Sequence, residues 1–241
     1  METFVITLER TPGRLEAFRR NNAPHRHIVS FEAVDGLADE VASRLSRLKA
    51  ATGLTYSAGA FGAALSHEAL WLRTVASDAP ITVCEDDAVL HADFAAESAK
   101  VLAFLGEDWE FVLWGWNFDA PLVAELHPLL CPTVMSFDQA SLRLNWAGYV
   151  RAAVMPTVLR LRSVFGIPCY SISPRGARKF LSRCFPLKSF DWTIPFLNRR
   201  VANYGIDVAM CPAYQDTASF ACFPPLAVTE NDQTTSTIQR A

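Results

Sequence analysis

Strand-length apolar runs alternate with helical patterns through the first half of this chain, and that alternation limits the fold more than any other feature. The predicted strands are 3–8, 27–34, 81–84 and 111–114, and the predicted helices between them are 14–21, 37–51 and 58–76. Such alternation favours an α/β fold with a mostly parallel central sheet flanked by helices, because each helix returns the chain to the start of another parallel strand.

The second half of the chain has a less regular pattern. It predicts strands at 134–137, 169–172 and 208–211 and helices at 174–184 and 192–203. The polar residues 229–241, rich in Ser and Thr, predict a tail. This leaves 1–228 as one domain, which is large enough to bury a core without disulfide bonds.

Charge and cysteine usage limit the classes of partner and compartment. A formal net charge of −3 weighs against a general nucleic-acid binder, which would be basic. The six cysteines lack metal or redox spacing and lie mostly in apolar stretches, which predicts reduced, buried side chains in a cytoplasmic protein. No apolar run approaches the roughly 20 residues that span a bilayer. The mean hydropathy of +0.14 is nevertheless high, so peripheral contact with the inner face of the membrane is an alternative.

An acidic triplet, Glu85-Asp86-Asp87, directly follows the predicted strand 81–84. On an extended backbone Glu85 and Asp87 share one side, and Asp86 faces the other. Two carboxylates about 4 Å apart repel by roughly 4 kcal/mol at an effective dielectric constant of 20, and a divalent cation removes this repulsion. Mg²⁺ or Mn²⁺ bound there would also hold the oxygens of a diphosphate. The alternative is an acidic loop that caps the next helix.

A helix start follows the first predicted strand. Thr11 has an N-cap residue type and Pro12 fits the first helical position, so free N–H groups and a partial positive charge would face a bound phosphate. Arg10 and Arg14 flank this start and can add charge-assisted hydrogen bonds. The alternative is an ordinary capped surface helix with solvated arginines.

Two further side chains, His67 and Asp191, have unusual sequence surroundings. His67 lies on a predicted helix that is apolar nearly all round, so it needs a buried partner. Asp191 lies between Phe190 and Trp192, where apolar neighbours suit a general base. The alternative for Asp191 is the N-cap of the predicted helix 192–203.

Five blocks of sequence, taken in chain order, resemble glycosyltransferase family 25, which includes lipooligosaccharide galactosyltransferases and procollagen galactosyltransferases. They are Ile6-Thr7-Leu8-Glu9-Arg10 with Arg14, Ala33-Val34-Asp35-Gly36, Gly62-Ala63-Ala64-Leu65-Ser66-His67 with Trp71, Glu85-Asp86-Asp87, and Tyr170-Ser171-Ile172-Ser173-Pro174-Arg175-Gly176-Ala177 with Phe190-Asp191. Each block alone is unspecific, but five in the family's order form a strong signal. The similarity spans residues 3 to about 200 and, weakly, 224–238.

The resemblance implies a GT-A-like fold that binds a sugar nucleotide together with Mn²⁺ or Mg²⁺. It also implies an inverting galactosyltransferase that moves galactose from UDP-galactose onto a glycan acceptor such as a bacterial lipooligosaccharide. In this interpretation Glu85 and Asp87 would bind the metal, and Asp191 would be the catalytic base. The nucleotide pocket would be lined by Leu8, Arg10, Arg14, Ala33, Val34, Asp35, Ser66, His67, Glu85 and Asp86.

The chain departs from the family pattern in three places. Thr7 stands where the family has asparagine, and the stretch 118–162, where acceptor specificity would lie, aligns with nothing. No histidine follows His127, so the late histidine ligand of many GT-A enzymes is missing. The second metal ligand stays open among Asp191, Asp216, a polar residue in 230–233 and water.

Two other functions are alternatives to the transferase. One is a catalytically silent module of the same fold that binds a glycan or a sugar nucleotide, and the other is a metal-dependent hydrolase that uses the acidic triplet. The intact triplet and Asp191 favour the transferase over the silent module, because a module that only binds needs neither of them.

Overall fold

The protein has a mixed α/β structure in the computed structural model, which describes residues 1–127 and 129–231. The strands are β1 (Glu2–Thr7), β2 (Val29–Glu32), β3 (Ile81–Glu85), β4 (Ala88–Leu90), β5 (Phe111–Gly115), β6 (Leu122–His127), β7 (Cys131–Met135), β8 (Thr157–Ser163), β9 (Cys169–Ile172), β10 (Asp191–Ile194), β11 (Arg199–Ala202), β12 (Ser219–Phe223) and β13 (Ala227–Thr229). The helices are α1 (Pro12–Asn21), α2 (Asp39–Thr52), α3 (Ala58–Ser77), α4 (Phe94–Leu105), α5 (Gln139–Tyr149), α6 (Pro174–Cys184) and α7 (Ile206–Met210).

A nine-stranded sheet forms the centre of the structure, in the order β2-β1-β3-β9-β5-β12-β8-β6-β7. Strand β1 pairs in parallel with β2 and β3, and β5 pairs in parallel with β12. The other neighbouring pairs of this sheet, within the described residues, are antiparallel. The prediction of an α/β fold is therefore confirmed, whereas the prediction of a mostly parallel sheet is wrong.

The sheet contains both parallel and antiparallel strands because helices connect only some of its neighbouring strands. Strands β1, β2 and β3 are joined through α1, α2 and α3, and they are parallel as the alternation predicts. Strands β6 and β7 are consecutive along the chain and pair antiparallel, which needs no crossover helix. Strand β9 enters between β3 and β5 and is antiparallel to both.

Helices cover both faces of the sheet, because successive residues of the central strands are apolar on both sides. Phe4 of β1 lies in one core with Trp71 of α3 and Phe180 of α6. The next residue, Val5, lies in a second core with Phe18 of α1 and with side chains of α4. A sheet that is buried on both faces explains the nearly continuous apolar sequence of these strands.

Two predicted elements of the second half are wrong. Residues 192–203, predicted as a helix, belong to the antiparallel hairpin β10–β11. Pro195 removes a helical N–H donor, and Phe196 and Asn198 have φ values of 67° and 47°, which a right-handed helix does not use. The predicted strand 208–211 lies instead in α7 and in the 3₁₀ turn that follows it, because a short apolar run fits either kind of element.

Three further predictions concerned the cysteines, membrane-spanning segments and the carboxyl-terminal tail. All six cysteines are free, and five of them are buried, Cys131 being exposed. Among the described residues, none of the helices combines the length and the hydrophobicity needed to cross a bilayer. Strand β13 pairs with β4. Residues 232–241 of the predicted tail lie outside the described residues, so the division into 1–228 and 229–241 stays a prediction.

Candidate active site

A cavity of about 490 Å³ opens at the carboxyl ends of β1, β2 and β3. The carboxyl ends of parallel strands meet at one edge of a sheet, so the segments that follow these three strands come together there. The volume lies within the roughly 300–1,000 Å³ typical of small-molecule sites. The rest of the lining comes mostly from later parts of the chain, which are 117, 119–121, 165–167, 199–201 and 204–207.

Most of the predicted site residues line this cavity. They are Leu8, Arg10, Arg14, Ala33, Val34, His67, Glu85, Asp86 and Asp87. Asp35 and Ser66 lie one contact behind it: Asp35 Oδ2 accepts a hydrogen bond from Arg10 Nε at 2.9 Å, and Ser66 Oγ accepts one from Val34 N–H at 2.8 Å. Asp191 is exposed at the start of β10 and is not part of the cavity lining that the structure describes.

Two glycines bring α3 against the segment that follows β2. A Cβ atom on Gly62 would lie 2.4 Å from Val34 O, and one on Gly36 would lie 1.7 Å from Ala58 O. Ser66, one turn after Gly62, then reaches Val34 N–H and donates its own proton to Gly62 O at 2.8 Å. The glycine and serine of the third sequence block therefore hold Val34 in the cavity wall.

Asp86 of the acidic triplet is neutralised by an arginine. Arg14 Nε donates to Asp86 Oδ2 at 2.8 Å, and a second guanidinium nitrogen donates to Asp86 Oδ1. The hydrogen bonds to Asp86 raise the pKa of Arg14 despite its partial burial. Arg14 was predicted to contact a phosphate, but in the structure its guanidinium group already binds the Asp86 carboxylate. The other two acids of the triplet, Glu85 and Asp87, line the cavity.

Asp87 lines the cavity, and its side chain is exposed to solvent there. Desolvation by the protein around the carboxylate and, next, the charge of Glu85 raise the pKa of Asp87 to about 7, while Arg14 and a hydrogen bond with Thr229 act in the opposite direction. The charge of Glu85 therefore disfavours the ionised form of Asp87, and a bound cation would relieve that conflict.

His67 has the buried partners that its sequence position requires. Its side chain is almost completely buried, and its Nδ1 lies 2.8 Å from the hydroxyl of Tyr170. Trp71 Nε1 donates to the same hydroxyl at 2.8 Å, which leaves the Tyr170 proton for His67 Nδ1. This arrangement favours a proton on Nε2, which lies 3.6 Å from Glu85 Oε1. The buried network thus orients His67 towards the first carboxylate of the triplet.

The helix after β1 begins at the predicted residue, but the predicted side-chain cap is not formed. Thr11 is the N-cap residue of α1, and Pro12 is the first helical residue. The Thr11 hydroxyl, however, makes no capping bond and donates to Leu8 O at 3.2 Å. The Ser173 side chain does cap α6, by accepting a hydrogen bond from Gly176 N–H at 3.1 Å.

Asp207, which the sequence did not predict as a site residue, lines the cavity. Its two carboxylate oxygens accept hydrogen bonds from Gly166 N–H at 2.9 Å and from Val208 N–H at 2.8 Å. Burial and the charge of Glu85 raise the pKa of Asp207, although these backbone bonds oppose the shift. No local motif surrounds Asp207 in the sequence, so only the fold reveals this further cavity carboxylate, which lies close enough to Glu85 to be affected by its charge.

The donor set fits a cation that is shared with a substrate. Within the described residues, no group of three or more His, Cys, Asp or Glu side chains is placed to enclose a metal ion. Mg²⁺ usually binds through one or two carboxylates, substrate phosphates and waters, and Glu85 with Asp87 would supply the carboxylates. Asp216, left open above as a ligand, forms an ion pair with Arg183 and is not in the described cavity lining.

The chain is similar to one protein family, and the solved structures that it resembles include the two that follow. Residues 1–193 match the family described as "Glycosyltransferase family 25 (LPS biosynthesis protein)". The crystal structure of A197 from STIV aligns with 92% of this chain and 81% of that chain, at 13% identity and a TM-score of 0.39. The crystal structure of mannose-1-phosphate geranyltransferase from Thermus thermophilus aligns with 77% of this chain and 62% of that chain, at 12% identity and a TM-score of 0.36. No curated protein matches.

Proposed function

This chain belongs to glycosyltransferase family 25 and is therefore a glycosyltransferase, and we propose that it is a metal-dependent, inverting galactosyltransferase with a GT-A-like fold. Its donor in this proposal is UDP-galactose, and its acceptor is a glycan of the bacterial lipopolysaccharide. One observation carries the proposal: Arg14 binds Asp86, while Glu85 and Asp87 line the same cavity without an arginine or lysine ion pair among the described residues.

The donor diphosphate would lie beside Glu85 and Asp87, and the nucleoside would contact the wall formed by Leu8, Ala33 and Val34. A cation held by the two carboxylates supplies charge neutralisation for the departing diphosphate. His67 would orient Glu85 from behind, because its Nε2 faces that carboxylate.

An inverting transfer needs a base on the side of the sugar that is opposite to the leaving diphosphate. The resemblance assigns this role to Asp191, which is exposed on β10 and outside the described cavity lining, although Ile194 of the same strand lines the cavity. Asp207 competes for the role, because it already lines the cavity that the acidic triplet lines.

The metal claim is tested with Asp87→Ala. We expect the variant to lose turnover with UDP-galactose and Mn²⁺, and to lose the Mn²⁺-dependent part of its UDP affinity in calorimetric titrations. Asp93→Ala is the matched control, because Asp93 is a nearby exposed acid whose side chain makes no capping bond. Unchanged turnover in Asp87→Ala would remove the metal from the proposal.

The base is tested by comparing Asp191→Asn with Asp207→Asn. The variant that lacks the base should bind UDP normally and transfer no sugar, while the other should keep its transfer rate. Thermal unfolding of both variants separates catalysis from folding, because the Asp207 carboxylate also ties Gly166 to α7. Transfer that persists in both variants would exclude both carboxylates.

The same assays separate the alternatives. A silent binding module would bind UDP without transfer, and a hydrolase would release free galactose even with acceptor present. A screen of sugar nucleotides for Mn²⁺-dependent thermal stabilisation tests the donor, because a ligand of the native state raises its stability. The proposal also includes a cytoplasmic location with peripheral contact to the inner face of the membrane, which cell fractionation tests.

A further inference from the structure

A side-chain amide in the cavity lining has no hydrogen-bond partner. Asn231 lines the cavity, and its Nδ2 is buried without a partner. Its Oδ1 also makes no hydrogen bond with any residue that the structure describes. Because buried polar groups are nearly always paired in native structures, an unpaired amide in a cavity lining indicates that the cavity receives a polar group.

The pairing of two short strands places Asn231 beside the acidic triplet. Thr229 of β13 pairs with Ala88 of β4, the residue that follows Asp87, so the chain leaves β13 next to the triplet. Asn231 N–H then donates to Thr229 Oγ1 at 3.0 Å. Asp86, Asp87 and Asn231 line the same cavity. The amide therefore lies at the end of the cavity where the diphosphate is proposed to bind.

Helix α5 holds the backbone around Asn231. Arg143 Nε donates to Glu230 O at 2.8 Å, and a second nitrogen of the same guanidinium group donates to Asn231 O at 2.7 Å. Gln139 Nε2 also donates to Glu230 O, at 3.2 Å, and Gln139 Oε1 accepts a hydrogen bond from Phe118 N–H at 3.1 Å. While the backbone is held in this way, the amide can still rotate about its Cβ–Cγ bond and present Nδ2 to a ligand.

The nearby arginines already have carboxylate partners. Arg10 is paired with Asp35, and Arg14 is paired with Asp86. The Asn231 side-chain N–H has no such partner, so it is a donor that remains available to a phosphate oxygen.

We propose that Asn231 binds the sugar nucleotide, by donating a hydrogen bond from its side-chain N–H to a phosphate oxygen. This inference rests on the proposed function, and it adds a contact from a part of the chain beyond residues 1–193, which match the family. The competing role of the same side chain is to bind the cation through Oδ1, and the experiment distinguishes the two roles.

The test compares Asn231→Gly with Asn231→Asp in the full chain. Asn231 has a φ of 48°, which glycine and aspartate tolerate. Glycine removes the amide, whereas aspartate keeps its shape and replaces the N–H donor with a charged acceptor. In calorimetric titrations with Mn²⁺ present, UDP affinity should fall about ten- to a hundredfold in Asn231→Gly, because a hydrogen bond to a charged group is lost. It should fall further in Asn231→Asp, because like charges repel.

The matched controls are Asn198→Gly and Asn198→Asp. Asn198 has nearly the same φ, 47°, and it is not in the described cavity lining, so both variants should bind UDP as the wild-type protein does. Mn²⁺ affinity without UDP, measured from the paramagnetic resonance of free Mn²⁺, should be the same in Asn231→Gly and the wild-type protein. Thermal unfolding checks the fold of each variant, and Asn231→Gly should keep its Tm because no partner of the amide is left unpaired.

Four results would overturn this inference alone. The first is wild-type UDP affinity in Asn231→Gly, the second is UDP affinity that is retained or raised in Asn231→Asp, and the third is an equal loss in the Asn198 variants. The fourth is a loss of Mn²⁺ affinity in Asn231→Gly without UDP, which would assign the amide to the cation. A wild-type protein that binds no UDP would overturn the proposed function together with this inference.

Discussion

Replacement of Gly62 by alanine should destabilise the protein and disturb the cavity wall. The new Cβ would lie 2.4 Å from Val34 O and 2.7 Å from Gly36 N, whereas Cβ contacts essentially never fall below 3.0 Å. The backbone must therefore move by at least 0.6 Å, because neither neighbour can rotate away. Overpacking of this kind costs about 1–3 kcal/mol. At roughly 2–4 °C per kcal/mol for a chain of this size, the Tm should fall by roughly 2–12 °C.

Gly148→Ala is the control, since Gly148 also lies in a helix but a Cβ there would meet nothing within 4 Å. Both substitutions gain up to about 1 kcal/mol of helix propensity, so this control should keep or raise the Tm. Thermal unfolding measures both changes, and calorimetry with UDP and Mn²⁺ measures the site. Because Val34 lines the cavity, only Gly62→Ala should weaken UDP binding. Equal Tm changes in the two variants would refute the close packing of α3 on this segment.

Two further predictions concern buried polar groups. Burial raises the pKa of Glu110, but hydrogen bonds from Lys179 and a backbone N–H outweigh it, so that the pKa lies below its ordinary value of 4.5. The ionised Glu110 therefore stabilises the protein at neutral pH, and this stabilisation is lost as the pH falls through the folded-state pKa. In urea unfolding, Glu110→Gln should lower the free energy of unfolding more at pH 7 than at pH 3. Ser66→Ala leaves the N–H of Val34 without its partner and should cost about 1–3 kcal/mol in the same assay. Ser98→Ala should cost less, because Ser98 Oγ makes only a 3.4 Å bond to a carbonyl of its own helix.

The sequence predicted those strands and helices that are determined by the pattern of residues within the element itself. The strand at 81–84 and the helix at 174–184 appear as β3 and α6 with nearly the same bounds. Sheet direction is not local, because β9 pairs with strands that lie far from it in the chain. The hairpin β10–β11 was missed for another reason: Pro195 marks a turn there, but the apolar spacing around it also fits a helix.

The residues of the candidate site likewise fall into those that short sequence motifs predict and those that only the fold brings to the cavity. The wall formed by the first 87 residues follows from short motifs, such as the acidic triplet and Ser66-His67, whose residue types imply their chemistry. Asp207 and Arg199 have no such motif, and they reach the cavity only because distant strands pack against it. Prediction of these two cavity residues therefore required the topology of the sheet.

The reversed direction of β9 explains how distant residues reach the acidic triplet. Because β9 is antiparallel to β3, Cys169 at its amino end pairs with Cys84 at the carboxyl end of β3, and Glu85 N–H donates to Pro168 O at 2.8 Å. The segment 165–167 must then enter the cavity wall, and Tyr170 lies where its hydroxyl meets His67. A parallel β9 would have its amino end at the opposite edge of the sheet, so both contacts would be lost. The strand direction that the alternation failed to predict is thus the one that orients His67 towards Glu85.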